Sequence, residues 1–273
     1  MSGNPDCASA LALKLTRTNF AYEVCTNYPW DGSRIVISDE NGNTDANVRP
    51  HLEMLHKALH CYSNLGLFDI RTHGANPLGI HINLISVHDS GKPLLVVTRR
   101  GKSVSSDPEK WQTSASGATC PRHSSIEWGG DIPGYIYDAQ PSSAKPSVFI
   151  AAQREVEEEL GVSVPIDNIR IIAMLETTSS GQPILVAEAY TDLSFAEIKR
   201  LAIIAEEKWE TGDDGIDAID LTPNNCRSLI AGSGVQTVGC RLLDPIVQDN
   251  VPSKCWQERS QVAVLLTLLR FDE

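Results

Sequence analysis

The chain has 273 residues, with 23 Lys plus Arg against 35 Asp plus Glu, and a formal net charge of -12. This acidic excess excludes a protein that binds nucleic acid through a simple basic surface. Apolar residues make up 41% and charged residues 21%, a composition typical of a globular protein with a buried core rather than of a disordered chain. The length fits one large domain, or one domain with an extension.

Neither a membrane span nor a secretory signal is predicted. No apolar run approaches the roughly 20 residues of a membrane helix, and residues 1–20 lack a basic segment before a long apolar stretch. The seven cysteines are scattered without a Cys-x-x-Cys pair. They are most simply small buried residues in a reducing compartment, so we expect a cytoplasmic protein.

In chain order, residues 1–75 are predicted to form a small α+β extension of unknown role, followed by a change of composition at 74–77. A long stretch rich in Ser, Gly and Pro, 103–146, is interpreted as a functional loop or insertion. The remaining elements alternate in mixed order, which predicts an α/β sandwich. They are strands at 80–87, 94–98, 169–175 and 184–190, and helices at 147–160, 195–208 and 257–269.

The helix at 147–160 carries the chemistry. Glu155, Glu158 and Glu159 stand at i, i+3 and i+4, so they share one side of the helix next to its apolar face. Carboxylates this close repel one another, and a hard divalent cation would reverse that repulsion. Arg154 can hold Glu158 at i+4. A Glu-rich helix can equally be a solvated face joined by such an ion pair, and this alternative stays open on these residues alone.

The longer run Arg-Glu-Val-Glu-Glu-Glu-Leu-Gly-Val, 154–162, resembles the second half of the Nudix box, Arg-Glu-apolar-x-Glu-Glu-x-Gly-apolar, at every specified position. The resemblance implies a Nudix-like α/β/α sandwich with a mixed sheet over residues 76–273. It also implies Mg²⁺ or Mn²⁺ held by Glu155, Glu158 and Glu159. Arg154 and the same three glutamates would be the catalytic residues.

The first half of the box is interrupted. The family pattern has a Gly, five residues, a Glu and seven residues before the Arg, but here those slots hold Gln140 and Pro146. Gly117, in Trp-Gln-Thr-Ser-Ala-Ser-Gly, resembles the family glycine and lies 37 positions before Arg154, which leaves an insertion of 23 residues at about 118–146. Glu127 or Asp131 within that insertion could replace the missing acid, so Gly117 and Glu127 are counted with the metal-site candidates.

Four residues are candidates for substrate binding. Arg99 and Arg100, after a strand, could pair with phosphate, and Trp111 and Trp209 could stack on a nucleobase. The acidic segment 206–215, interpreted as a Gly-flanked turn, could supply a general base. Each of these residues has an ordinary structural role as an alternative, namely an edge-strand charge, a core aromatic or a solvated helix end.

The implied activity is divalent-metal-dependent hydrolysis of the diphosphate linkage in a nucleoside diphosphate joined to another group, such as ADP-ribose or a nucleotide sugar. Two alternatives stay open. An isoprenoid-diphosphate isomerase-like enzyme is suggested by Cys120, close to Gly117, and a catalytically impaired nucleotide-binding or regulatory module is suggested by the interrupted box. The expected partner is a small molecule rather than a nucleic acid polymer or a membrane, and a homodimer is left open.

Overall fold

The computed structural model describes residues 78–87, 92–102, 104, 107–119, 121–122, 136–137, 147–176, 182–206, 211–248 and 251–272. For residues 121–122, 136–137 and 211–214 only the backbone is described. The predicted extension at 1–75 lies outside these ranges. None of the described helices combines the length and the apolar character needed to cross a membrane.

A seven-stranded mixed sheet forms the centre of the fold. Its strands are β1 (Gly79–Ser86), β2 (Leu94–Arg100), β3 (Trp111–Gln112), β4 (Ala115–Ala118), β7 (Ile169–Glu176), β8 (Pro183–Thr191) and β9 (Thr211–Asp220). β1 runs parallel to β8 and antiparallel to β2 and β4, and β2 is antiparallel to β3 and β9. Short pairs join β5 (Pro121–Arg122) to β6 (Ile136–Tyr137), β10 (Val235–Gln236) to β11 (Leu242–Leu243), and β12 (Val247–Gln248) to β13 (Val251–Pro252).

The hairpin strands β1 and β2 separate along their length. They pair with each other only near Ile85 and Leu95. Away from this point, β4 pairs with the first half of β1, and β3 pairs with the end of β2. Ser114 lies at the fork, where its hydroxyl accepts a hydrogen bond from the Leu84 amide at 2.6 Å and donates one to the Val96 carbonyl at 2.5 Å. One serine thus satisfies two backbone groups that the separation of the strands leaves without a ladder partner.

Helices α1 (Val148–Leu160) and α2 (Phe195–Ala202) belong to one face of the sheet. Helix α1 lies over β1, β4 and β7 and contacts α2. Ser147 caps its first turn, and Gly161 ends it in the left-handed conformation with φ 66°. Fully buried residues of this core include Ile80, Ile82, Val156 and Leu160. Burial of such side chains contributes about 1.5–3 kcal/mol each, so α1 is held by packing more than by its own propensity.

Helices α3 (Pro223–Ala231) and α4 (Glu258–Arg270) cover the opposite face. Their core contains Leu229, Trp256, Val264 and Leu268 together with Ile85 from the sheet. Alternation along β1 therefore sends Ile80, Ile82 and Leu84 toward α1 but Ile85 toward α4. The result is the predicted α/β/α sandwich, with both faces of the sheet buried.

Several elements differ from the sequence prediction. The stretch 103–146 is not a continuous loop, since β3 and β4 lie within it. The segment 206–215 is not simply an acidic turn, because Thr211–Gly215 belongs to β9, and the helix predicted at 195–208 ends at Ala202. Of the cysteines described, Cys226 is buried as expected, whereas Cys240 and Cys255 are exposed.

Candidate active site

The motif helix buries two of its glutamates. In α1 the side facing the sheet includes Ala152 and Val156, and Glu155 and Glu159 lie beside them with relative exposures of only 5% and 1%. A buried carboxylate is costly unless charged or hydrogen-bonding groups compensate for its lost hydration. The positions of these two side chains are therefore set by the groups around them.

Arg154 is one of those groups. Its Nη2 lies 2.8 Å from Glu155 Oε1 and its Nη1 lies 2.6 Å from Glu158 Oε2. Nη2 also donates to the carbonyl of Ala118, at the end of β4, at 3.0 Å. Because the guanidinium is planar and only 10% exposed, these contacts fix the orientation of two carboxylates and tie α1 to the sheet. The predicted i, i+4 pair between Arg154 and Glu158 is confirmed.

Gly117 makes close approach of the helix possible. A Cβ at this position would lie 2.0 Å from Glu155 Oε1 and 2.2 Å from Oε2. Real side chains do not approach so closely, so the Glu155 carboxylate occupies the space that any other residue at 117 would fill. The structure thus places Gly117, the residue matched to the family glycine, directly against the motif helix, although it lies 37 positions before Arg154.

Glu159 is held by the same strand. Its Oε1 accepts a hydrogen bond from the Ser116 amide at 2.7 Å. A hydrogen bond from a backbone amide offsets part of the hydration that this buried carboxylate loses. Glu157, by contrast, is exposed on the outer side of α1, as expected from helical periodicity. In β4, therefore, the Ser116 amide donates to Glu159, Gly117 leaves room for the Glu155 carboxylate, and the Ala118 carbonyl accepts from Arg154.

The chemistry of this group suits a hard cation, whereas its observed arrangement suits it only in part. Three carboxylates and one guanidinium have formal charges that sum to -2, and carboxylate oxygens are preferred ligands of Mg²⁺. Yet within the described ranges no three His, Cys, Asp or Glu side chains gather closely enough to hold a metal ion. Two of the three glutamates instead face Arg154.

The three described substrate-binding candidates lie at the paired ends of β2 and β3. Trp111 pairs with Arg99 across β3 and β2 and packs against the core under α4. The Arg99 side chain donates to the Glu109 carbonyl at 2.7 Å. Arg100 donates to Gln112 Oε1 at 2.9 Å. Whether any of the three binds substrate stays a prediction. Glu127, Asp131, Cys120 and Trp209 lie outside the described residues.

Sequence reasoning missed the groups that position the motif. The Ser116 amide and the Ala118 carbonyl are backbone atoms and have no signature in residue type. Gln112, fully buried beside Thr98, was also missed. A Gln and a Thr at cross-strand positions would have been visible only if β3 had been predicted as a strand.

Behind the sheet, on the α4 side, His81 is buried between β1 and α4. Its Nδ1 lies 3.2 Å from Thr113 Oγ1 and 3.3 Å from Ser260 Oγ. Burial, with the nearby positive charges of Arg259 and Arg100, lowers the pKa of His81 to about 3. The imidazole is therefore neutral at physiological pH, and it joins α4 to the strand pair that holds Ser116.

No protein-family model matches the sequence, and no curated protein matches it. Solved structures that match include the Nudix domain of Shewanella oneidensis NrtR in complex with ADP ribose (14% identity, TM-score 0.30), where 48% of this chain and 71% of that chain are covered. DR0079 from Deinococcus radiodurans matches at 22% identity and TM-score 0.27, over 45% of this chain and 64% of that one.

A MutT/nudix family protein from Enterococcus faecalis matches at 11% identity and TM-score 0.31, over 59% of this chain and 58% of that one. This chain thus spans less than two thirds of the Deinococcus and Enterococcus proteins. The described part of the chain is an α/β/α sandwich in which the Nudix-like motif on α1 packs on a mixed sheet and lies against Gly117 of β4.

Proposed function

We propose that this protein is a divalent-metal-dependent hydrolase that cleaves the diphosphate linkage of a nucleoside diphosphate joined to another group. One observation carries the proposal. On one turn of α1, Glu155 and Glu159 lie against β4, and Glu158 is held by Arg154, which is itself bonded to β4, rather than extending into solvent as an ordinary acidic helix face would. Because burying carboxylates is costly, such an arrangement implies a use for the charge.

Each motif residue has a separable task. Arg154 orients Glu155 and Glu158, the Ser116 amide orients Glu159, and Gly117 leaves room for the Glu155 carboxylate. Glu155, Glu158 and Glu159 would hold Mg²⁺ or Mn²⁺, with Arg154 releasing part of its hold on the first two. Bound there, the ion would neutralise phosphate charge and lower the pKa of a coordinated water.

The substrate class follows from charge. The helix surface is acidic, so a phosphate group reaches it only together with a cation. A diphosphate flanked by two organic groups presents adjacent oxygens that a metal can bridge. The group beyond the diphosphate is then recognised elsewhere on the protein, since the motif contributes no groups that distinguish one nucleoside or sugar from another.

The test is a substrate screen with the full chain. ADP-ribose, nucleotide sugars, dinucleoside polyphosphates and nucleoside triphosphates are incubated with Mg²⁺ or Mn²⁺, and the products are separated by chromatography. We expect cleavage between two phosphorus atoms for at least one compound, lost when the metal is chelated. Absence of turnover across the panel with either metal would contradict the proposal.

A matched pair of variants assigns any activity to the motif. Glu159→Gln removes one negative charge but keeps an oxygen that can accept the hydrogen bond from the Ser116 amide. Glu157→Gln removes the same charge from the exposed side of the same helix. We expect a loss of about 100-fold or more in kcat for Glu159→Gln, as for removal of other groups that stabilise developing charge, and wild-type rates for Glu157→Gln.

A second candidate is a catalytically impaired nucleotide-binding or regulatory module. Two observations favour it: Arg154 engages two of the three carboxylates, and the described residues hold no cluster of three acidic, His or Cys side chains placed for a metal. Calorimetry in the presence of Mg²⁺ separates the two candidates. Binding of ADP-ribose without any cleavage would favour the module, whereas steady product formation would exclude it.

A further inference from the structure

The two adjacent arginines at the end of β2 are not equivalent. Residues on one strand alternate between faces, and Val96 belongs to the core under α1 whereas Val97 belongs to the core under α4. Thr98 has the same parity as Val96, and its partner in β9, Ile216, also lies in the α1-side core. Thr98 therefore belongs to the motif face of the sheet, whereas Arg99, which pairs with Trp111, belongs to the opposite face. The register of β2 against β9 shifts between Thr98 and Arg100, so the Arg100 guanidinium is placed by its hydrogen bond to Gln112 rather than by alternation.

Gln112 lies on the same face as Thr98. It pairs with Thr98 across β3 and β2, while its neighbour Trp111 packs into the core under α4. If alternation continued unbroken from Gln112, Gly117 would lie on the α4 side of the sheet. The chain bends at Ser114, however, and Ala115 lies in the α1-side core. Gln112 and Gly117 thus face the same side of the sheet.

Hydrogen bonds fix this row of polar side chains. Gln112 Nε2 donates to Thr98 Oγ1 at 3.2 Å, so its Oε1 is directed to Arg100 Nη1 at 2.9 Å. Thr98 in turn donates to the Thr113 carbonyl at 2.8 Å. Thr98 and Gln112 are fully buried, and Arg100 is half-buried. A guanidinium supported by a buried amide is preorganised, because part of its rotamer entropy is already lost.

The row lies beside the motif helix on the same face of the sheet. Helix α1 lies over β1, β4 and β7, so β2 and β3 lie beside its main area of contact on the same face. Gln112 and Gly117 are five positions apart, so the chain between them spans at most about 17 Å. The row therefore lies within reach of an extended ligand whose diphosphate is at α1.

We infer that Arg100, held by Gln112, binds an oxygen acceptor of the substrate remote from the diphosphate bond at α1. The acceptor is an oxygen of the nucleoside ribose, because a guanidinium only donates and ribose oxygens are common to all nucleosides. This inference rests on the proposed function, since it takes the diphosphate to lie at Glu155, Glu158 and Glu159. It assigns different roles to two arginines that the sequence does not distinguish.

The experiment measures binding, so it does not depend on turnover. α,β-Methylene-ADP, whose diphosphate cannot be hydrolysed at the bridged position, and methylenediphosphonate, which lacks a nucleoside, are titrated calorimetrically into the full chain with Mg²⁺. Arg100→Ala should weaken binding of the nucleotide by about tenfold or more, the loss expected for a charge-assisted hydrogen bond. It should leave methylenediphosphonate affinity unchanged.

Three variants complete the design. Arg99→Ala removes the same charge from the opposite face, and Lys102→Ala removes an exposed charge nearby. Arg100→Lys keeps the positive charge without the planar fork, so it gives an intermediate affinity and guards against a misfolded alanine variant. Thermal unfolding of each variant checks the fold.

Each pattern of measured affinities either supports or overturns the inference. A nucleotide-specific loss in Arg100→Ala, absent from Arg99→Ala and Lys102→Ala, supports the inference. Equal affinity in wild type and Arg100→Ala, equal loss of both ligands, or a larger loss in Arg99→Ala would each overturn it while leaving the proposed function intact. Failure of the wild-type protein to bind either ligand would instead overturn both.

Discussion

Replacing Gly117 by Ala adds one methyl group at the contact between β4 and the motif helix. The new Cβ would lie 2.0 Å from Glu155 Oε1, 2.1 Å from Cδ and 2.2 Å from Oε2. To reach an ordinary contact distance the carboxylate has to move by about 1.5 Å. Such a movement breaks the 2.8 Å contact between Glu155 and Arg154, which is itself anchored to the Ala118 carbonyl.

The expected cost has two parts. A charge-assisted hydrogen bond contributes about 1.5–3 kcal/mol, and forcing an extra methyl group into a packed site typically costs about 1–3 kcal/mol. Since the displaced carboxylate recovers some hydration, we expect Gly117→Ala to lower the free energy of unfolding by about 2–3 kcal/mol. Urea unfolding followed by circular dichroism measures this difference.

A double-mutant cycle isolates the cause. In a Glu155→Ala background the methyl group at 117 meets no carboxylate, so Gly117→Ala should be neutral, or stabilising by up to about 1 kcal/mol because a glycine has been removed from a strand. The coupling energy between the two sites should then be about 2–4 kcal/mol. A Gly117→Ala protein as stable as wild type, or an equal cost in both backgrounds, would refute the proposed packing.

Three further predictions concern stability. Arg154→Met removes contacts to Glu155 and Glu158 and should lower the free energy of unfolding by about 3 kcal/mol. Added Mg²⁺ should raise the Tm of this variant more than that of wild type. Equal shifts in Tm would argue against a metal at these carboxylates. His81 is neutral when folded but binds a proton when unfolded below its ordinary pKa of 6.5, so the free energy of unfolding should fall as pH is lowered from 6.5 toward 3. The contribution between pH 7 and 5 is about 2 kcal/mol, and a His81→Gln protein with an unchanged pH slope in urea titrations would contradict it. Asp217→Asn should lower the free energy of unfolding by about 2 kcal/mol, because this buried carboxylate accepts hydrogen bonds from the Gly239 amide and the Thr237 hydroxyl. Thermal unfolding measures the change, and a variant as stable as wild type would contradict the prediction.

The elements predicted correctly have strong local patterns. Strands β1, β2, β7 and β8 are runs of apolar and β-branched residues, and helix α1 has both an apolar stripe and a C-terminal glycine. The end of α1 at Leu160 followed from Gly161 alone. In these segments intrinsic propensity and tertiary packing agree, so the sequence is sufficient.

Strands β3 and β4 could not be predicted in the same way. Residues 111–118 contain Ser114, Ser116 and Gly117, which are poor strand formers. In the structure Ser114 bridges two strands and Gly117 admits the Glu155 carboxylate. Their residue types are explained by partners far away in the chain, so local propensity gives the wrong interpretation.

β9 and α3 illustrate two other kinds of error. Asp217 in β9 resembles a loop residue, but its carboxylate is buried and hydrogen-bonded by residues 237–239. The information needed to predict that strand lies twenty residues further along the chain. For α3 a local signal was present, since Thr222 caps the helix and Pro223 occupies its first turn. That helix could have been predicted from the sequence.

In the candidate site, too, the sequence predicts some features and not others. The identity of Arg154, Glu155, Glu158 and Glu159 followed from the motif, and so did the match of Gly117 to the family glycine. Their orientation depends on backbone atoms of β4, which no residue pattern reveals. The difference between Arg99 and Arg100 likewise depends on the pairing of Arg99 with Trp111 and on the hydrogen bond of Arg100 to Gln112, and this required the pairing of β2 with β3.

The proposed function requires that the carboxylates of α1 hold a divalent metal ion. Electron paramagnetic resonance of Mn²⁺ titrated into wild-type, Glu159→Gln and Glu157→Gln proteins tests it most directly, because free and bound Mn²⁺ differ in signal and no substrate is needed. We predict saturable binding in wild type and Glu157→Gln, weakened by about tenfold or more in Glu159→Gln. Equal Mn²⁺ binding by all three proteins would contradict the claim.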